Sequence, residues 1–461
     1  MRNSLILFAL LAGSCSAQAI EGNWLGTLDA GAVRLRLAIH IVRGKNGELS
    51  AKLDSLDQGA NGIPVQKTSF SANKLHLEIP MLHASYDGTL AGDEINGTFN
   101  QGASLPLALK RVDKIEARKR PQNPKPPFPY DSENVAYENH AAQVKLGGTL
   151  TLPRGPGPFP AALLITGSGP QDRDETLFGH KPFLVIADYL TRRGIAVLRV
   201  DDRGVGESTG SSTQTTLEDM AGDVIAGVEF LKTHQKINPR HIGVIGHSEG
   251  GIVGPLAASK SPDIAFVVML AGTGVRGDQV LNLQAEMVMR AGGATDAAIA
   301  ENRAIQKVLI DAMRAEKDEK DQKVILQKLR DAWTNYKTTH TTPPGLDQTM
   351  EAQFGQISSP ELRSFLFHDP AKVLRKLTVP VLAMNGERDV QVLAAQNLPA
   401  IFAALKQGGD QDVTTMEVPG LNHLFQECKT GAPSEYADLE QTFSPDALQI
   451  LGDWLVRKNA P

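Results

Sequence analysis

The sequence predicts an α/β fold, a largely parallel sheet covered by helices, with a helical lid insertion and a small antiparallel β-domain in front of it. Three observations predict it. From about residue 132, short continuous apolar runs alternate with amphipathic segments. Before residue 112, apolar and polar residues alternate with a period of two. A proline-rich stretch separates the two regimes. The 461 residues suffice for two or three domains, and 41% hydrophobic with 21% charged residues is an ordinary globular composition. The formal charge is −5 and no basic block stands out, which excludes the electropositive surface a nucleic-acid partner needs.

Residues 1–19 read as a signal peptide: Arg2 supplies the positive start, Leu5 to Ala12 the apolar centre, and Ala17-Gln18-Ala19 the small-residue cleavage site. The apolar run is far shorter than the ~20 residues that span a bilayer, so no transmembrane helix is expected. The reading is export to the periplasm or the medium. Lipoprotein anchoring through Cys15 is the alternative; "LAGSC" resembles such a signal but carries Ala12 where leucine is usual. Cleavage after Ala19 leaves Cys428 alone, so no intrachain disulfide is expected.

Residues 20–111 form the expected β-domain. "VRLRLAIHIV" at 33–42 and "KLHLEI" at 74–79 have strand periodicity, and "KNGE" at 45–48 carries the Asn-Gly of a tight turn. His40, His76 and His83 are scattered singly and read as structural. Residues 112–131 are the linker; "RPQNPKPPFPY" has five prolines in eleven residues, which stiffens and extends the chain.

Residues 132–461 form the larger domain. "NVAYEN" and "VKLGGTLTLP" suggest a leading hairpin. The runs at 161–166, 195–200, 241–246, 264–270, 379–384 and 413–418 read as strands buried on both faces. "TLEDMAGDVIAGVEFLKTH" opens on the capping box Thr216-x-x-Asp219 and puts Met220, Val224, Val228 and Leu231 on one face. "SPDALQILGDWLV" takes Ser444 as N-cap and Pro445 at the first helical position. A cap at about 277–368 interrupts the alternation. Within it, 277–340 is expected above the sheet's C-terminal edge, and the charge run 314–323 as a solvated helix face.

"GHSEGG" at 246–251 places G-x-S-x-G between a strand and a helix, where a nucleophile elbow is built. Ser248 is then the nucleophile, with Gly246 and Gly250 leaving room for neighbouring backbone. A serine hydroxyl needs a base. Acid and histidine should follow on loops after later strands. "NGERDVQV" offers Asp389, with Glu387 as an alternative acid, and "GLNHLF" offers His423. The oxyanion donors are expected to be the N–H of Glu249 and, in "ITGSGPQDRDE", the N–H of Ser168, with Gly169 next. Asp172, Arg173 and Asp174 either shape the pocket or form an internal ion-pair network. "VDDRGVGEST" is no dinucleotide site, because Thr209 stands where a third glycine is required.

These motifs, with "GHKPF" and "IADYLTRRGIAVLRVDDRGVGES", resemble the α/β-hydrolase superfamily from about Arg120 onward. The likeness is to secreted bacterial esterases of the serine aminopeptidase-like or prolyl-oligopeptidase-like type. It implies a carboxylesterase acting on a small-molecule ester with a small acyl group, without a cofactor or metal, through Ser248, Asp389 and His423. Competing readings are a serine exopeptidase or amidase with the same triad, and a surface-binding protein whose hydrolase is secondary. Nothing in the sequence fixes the oligomeric state.

Overall fold

The computed structural model describes residues 19–459 apart from 30–33, 59, 117, 317–319 and 344. Cys15 and residues 1–18 of the expected signal peptide lie outside the described residues. The chain divides into two compact units that adjoin in sequence at Glu116 and Ala117, with the short segments 30–34 and 57–59 grouped with the second.

The first unit is a nine-stranded antiparallel sheet, in which the first strand (Gly22–Asp29) pairs with the last (Ala103–Val112) near the middle of the order. In Lys74–Ile79 the alternation buries Leu75, Leu77 and Ile79. They join Trp24, Ile39, Leu53, Tyr86 and Phe99 in one core. Its two largest polar aromatics are satisfied inside it: Trp24 Nε1 donates to the Ile20 carbonyl (2.8 Å) and the Tyr86 hydroxyl to the Leu107 carbonyl (3.0 Å). His40 sits between Asn23 and Asp54, and His76 between Asp87 and Glu78.

The second unit takes in the proline-rich part of the linker, which does not run free. Arg120 donates to the carbonyls of Phe178, Ala437 and Leu439, Gln122 to that of Phe443, and Asn123 to that of Gly179. Proline removes donors from this stretch, and these side chains supply its anchorage instead.

Its sheet has eight strands: β1 (Asp131–Asn139), β2 (Val144–Leu152), β3 (Phe159–Ile165), β4 (Ala196–Val200), β5 (Ile237–His247), β6 (Val267–Leu270), β7 (Val381–Gly386) and β8 (Val413–Val418). Their spatial order is 1-2-4-3-5-6-7-8. β1 and β2 form the antiparallel hairpin, β2 meets β4 antiparallel, and every other pairing is parallel.

Helices cover both faces. α2 (Leu217–Thr233), α3 (Gly250–Ala258) and α10 (Ala394–Gly408) pack on one face with Leu163, Val244 and Val267. α1 (Pro182–Arg192) and α11 (Pro445–Lys458) pack on the other with Leu164, Ile245 and Val268. Neighbouring residues of one apolar run thus serve opposite cores, which is why these strands show no polar alternation. The Thr216–Asp219 capping box is formed, and the Ser444 side chain caps α11.

Between β6 and β7 lie α4 (Gly277–Ala291), α5 (Asp296–Ala315), α6 (Gln322–Thr339), α7 (Leu346–Ile357), α8 (Pro360–Phe367) and the short α9 (Pro370–Leu374). α5 to α8 share a core of their own that includes Leu309, Leu329, Trp333, Phe354 and Leu366. The charge run 314–323 is not one helix face. It straddles the end of α5 and the start of α6, where Asp321 caps the new helix through the Lys323 N–H (2.9 Å). From 314 to 321 the sequence has no large apolar residue to hold a helix against that core.

Candidate active site

The elbow follows from the glycines. A Cβ on Gly246 would lie 1.9 Å from the Gly250 carbonyl oxygen, and one on Gly250 would lie 2.3 Å from that of Ile165. Only bare backbone lets β5 turn into α3 this tightly. Ser248 takes the strain, with φ at +54°, a left-handed conformation that costs a non-glycine residue about 1 kcal/mol or more. Its N–H is held by the Leu270 carbonyl of β6 at 2.8 Å. The hydroxyl is left at the N-terminal end of α3, where the helix dipole favours developing negative charge.

Asp389 and His423 arrive from the loops after β7 and β8. His423 Nδ1 is 2.8 Å from Asp389 Oδ2, and both side chains are almost wholly buried. The other carboxylate oxygen accepts the N–H groups of Gln391 (2.8 Å) and Val392 (2.9 Å), so the acid is fixed from both sides. Glu387 is exposed and accepts the Gly420 N–H instead of meeting His423. Asp389 uses up Nδ1, which leaves Nε2 for a second partner. Ser248 and His423 line one cavity of about 790 Å³. No hydrogen bond joins their side chains among the described residues. In unliganded hydrolases that bond is often long and tightens around the substrate.

The loop after β3 lies against the elbow; a Cβ on Gly167 would come 3.4 Å from Ser248 Cβ. The N–H groups of Ser168 and Glu249 both belong to residues lining the cavity, and neither donates to another group among the described residues. The Gly169 N–H is engaged by Glu361 of α8 at 3.3 Å. The charged tail is an internal network and does not line the cavity. Arg173 pairs with Asp201 and Glu207, Asp174 with Lys181 and Arg199, and Asp172 accepts the N–H groups of Asp174 and Thr176.

Three carboxyls near the cavity have no cationic partner among the described residues: Glu249, Glu361 and Asp202. Glu249 is buried and its Oε2 makes no hydrogen bond. Burial, then the charges of Glu361 and Asp202, push its carboxyl up to about 8. Burial likewise pushes Asp202 up to about 7, against hydrogen bonds from Thr166 and the Gln171 N–H. Glu361 had no sequence signal, since nothing in the lid's composition tells which residue faces the nucleophile. Glu175 and His247, both buried and both on the cavity wall, also escaped notice. His247 is legible only as the x of G-x-S-x-G, and Glu175 only as the end of a charged tail.

No group of three or more His, Cys, Asp or Glu is arranged to hold a metal ion among the described residues. No helix there is long and apolar enough to cross a membrane.

The strand order and the elbow after β5 are those of an α/β hydrolase, preceded here by an antiparallel sheet domain. The sequence model of the serine aminopeptidase, S33, family matches residues 182–427, a span that contains Ser248, Asp389 and His423. The chain is similar to the esterase EstD of Thermotoga maritima, 30% identical over 281 residues, 61% of this chain and 58% of that protein. It thus matches less than two thirds of that relative's length. Among solved structures it is similar to an esterase of Pyrococcus furiosus (15% identity, 75% of this chain and 99% of that one, TM-score 0.44). An α/β hydrolase of a Penicillium species is likewise similar (16% identity, 72% of this chain and 100% of that one, TM-score 0.46).

Proposed function

Because the chain belongs to the serine aminopeptidase S33 family of hydrolases, we propose that it is an exported serine hydrolase cleaving carboxylic esters of small acyl groups through an acyl-serine intermediate. One observation carries the reading: a buried Asp389–His423 pair shares a cavity with a serine on a strained elbow, flanked by two amides without acceptors.

In this mechanism Ser248 Oγ attacks the ester carbonyl as His423 Nε2 takes its proton, and Asp389 stabilises the resulting imidazolium. The N–H groups of Ser168 and Glu249 donate hydrogen bonds to the oxyanion that forms on the carbonyl oxygen. Collapse breaks the C–O bond to the alcohol, which leaves with the proton held by His423. Water then repeats the sequence on the acyl-serine and returns the proton through the same imidazole.

A serine exopeptidase or amidase is the second reading, and the unpartnered Glu249 carboxyl beside Glu361 favours it, because such a pair suits a substrate ammonium. A single experiment addresses both. A fluorophosphonate should label the wild-type enzyme and not Ser248→Ala, whose kcat should fall at least ~10³-fold. A variant retaining more than about a tenth of the activity removes Ser248 from its role. On matched, non-activated substrates, kcat/KM for the ester should exceed that for the aminoacyl amide at least ~10²-fold; equal rates promote the peptidase.

A further inference from the structure

We propose that Glu175 and His247 form a buried positioning pair that locks the oxyanion loop and the His423 loop to the nucleophile elbow. The inference rests on the serine-hydrolase reading. His247 immediately precedes Ser248. Its Nδ1 lies 2.9 Å from Glu175 Oε1 and its Nε2 lies 3.0 Å from the backbone carbonyl oxygen of His423. The same Glu175 oxygen accepts the Gly167 N–H at 2.7 Å. The rings of His247 and His423 lie 4.9 Å apart, tilted by 48°. Three loops therefore meet on two side chains: Gly167, one residue before the Ser168 amide; His247, one residue before the nucleophile; and His423 itself.

The protonation follows from the partners. A carbonyl oxygen has no proton to give, so Nε2 must carry one. As a carboxylate, Glu175 Oε1 accepts from both the Gly167 N–H and Nδ1. An imidazolium paired with a carboxylate satisfies both contacts. Burial by itself opposes that charge, but the Glu175 carboxylate and the His423 carbonyl outweigh it, and the His247 pKa is raised. The remaining ionisable groups around the pair are Asp389, through its own contact with His423, and Asp202, beyond Glu175. Behind the pair the wall is apolar, formed by Phe183, Leu270, Leu424 and Phe443. Glu175 holds a left-handed backbone at φ +53°, so its placement is maintained against strain.

The pair makes no chemical step of its own. It is net neutral, and removing only its positive member leaves a lone carboxylate beside the Asp389–His423 couple. That charge draws a proton into the couple and silences the base at a pH where the wild type is active.

The test compares Glu175→Gln, His247→Gln and the double variant. A glutamine at 247 can still donate to the His423 carbonyl, and one at 175 can still accept from Gly167. For His247→Gln the acid limb of the kcat/KM profile should move up by at least ~0.5 pH. In the double variant it should return to within ~0.2 pH of the wild type, because charge balance is restored. In the single variants kcat should fall at least ~5-fold with KM changed less than ~3-fold. An acid limb that stays in place in a folded His247→Gln overturns the proposal. Should that variant not fold, Glu175→Gln decides: a kcat loss below ~5-fold overturns it and a larger loss at steady KM supports it. Absence of fluorophosphonate labelling in the wild type is a separate result, since it defeats the hydrolase reading itself.

Discussion

Glu249 carries two properties that pull in different directions. Its N–H stands free at the start of α3, suited to an oxyanion, while its carboxyl is buried without a partner. The carboxyl is raised from 4.5 to about 8 in the folded protein. The unfolded chain releases that proton near ~4.3, so between these values unfolding sets a proton free and stability falls as pH rises. The folded state keeps the full benefit only below the unfolded value and has lost it once the pH passes the folded one. Glu249→Gln keeps the neutral shape and cannot ionise. Urea melts should therefore show the variant nearly equal to the wild type at about pH 4 and more stable by about 2 kcal/mol or more at pH 8.5. An equal difference at both pH values would show that ionisation is not the cause. Glutamine leaves the backbone N–H in place, so the proposed oxyanion donor survives the change.

Among elements, the lid marks where the sequence becomes hard to read. The placement of Ser248, Asp389 and His423 around one cavity was legible because each follows a strand whose apolar run announces it. The lid's helices were legible from composition, but its inner surface was not. Of the described residues in 277–340, only Val280, Leu281, Gln284 and Gln322 line the cavity, and the segment from Gly355 to Phe365 supplies the rest of the lid wall. That outcome depends on how α4 to α8 pack around their own core, a long-range matter that periodicity does not encode. The same holds for Glu361, and for the pairing of Glu175 with His247 across 72 residues. Leu281 and Leu362 narrow the cavity from two different helices. Replacing both with alanine should admit longer acyl chains and raise kcat/KM for an octanoyl relative to an acetyl ester at least ~5-fold, since each buried methylene contributes about 0.8 kcal/mol. An unchanged chain-length profile in the folded variant would show that the lid does not set acyl length.

For the whole molecule, the question is where the mature chain begins, and the first unit bears on it. Ile20 is fully buried in that unit's core and its carbonyl accepts the Trp24 indole N–H, whereas Ala19 beside it is exposed. A signal peptidase cutting after Ala19 would leave the core intact and remove one backbone acceptor, the Ala19 carbonyl to which Arg111 donates. Cleavage one residue further would remove a side chain that fills the core, a loss on the order of 2–4 kcal/mol for a buried isoleucine. Export by that route predicts a mature chain starting at Ile20, free of lipid and soluble without detergent, with Cys428 as its one thiol. Its Sγ is half-buried, 3.6 Å from the Gly420 carbonyl oxygen, with burial raising the thiol pKa, so it should be slow to react. Intact mass and N-terminal sequencing of the periplasmic fraction check the start, and a melting temperature unaffected by reductant checks the thiol. A chain beginning at Cys15 with an attached lipid, partitioning into detergent, would replace this reading with anchorage.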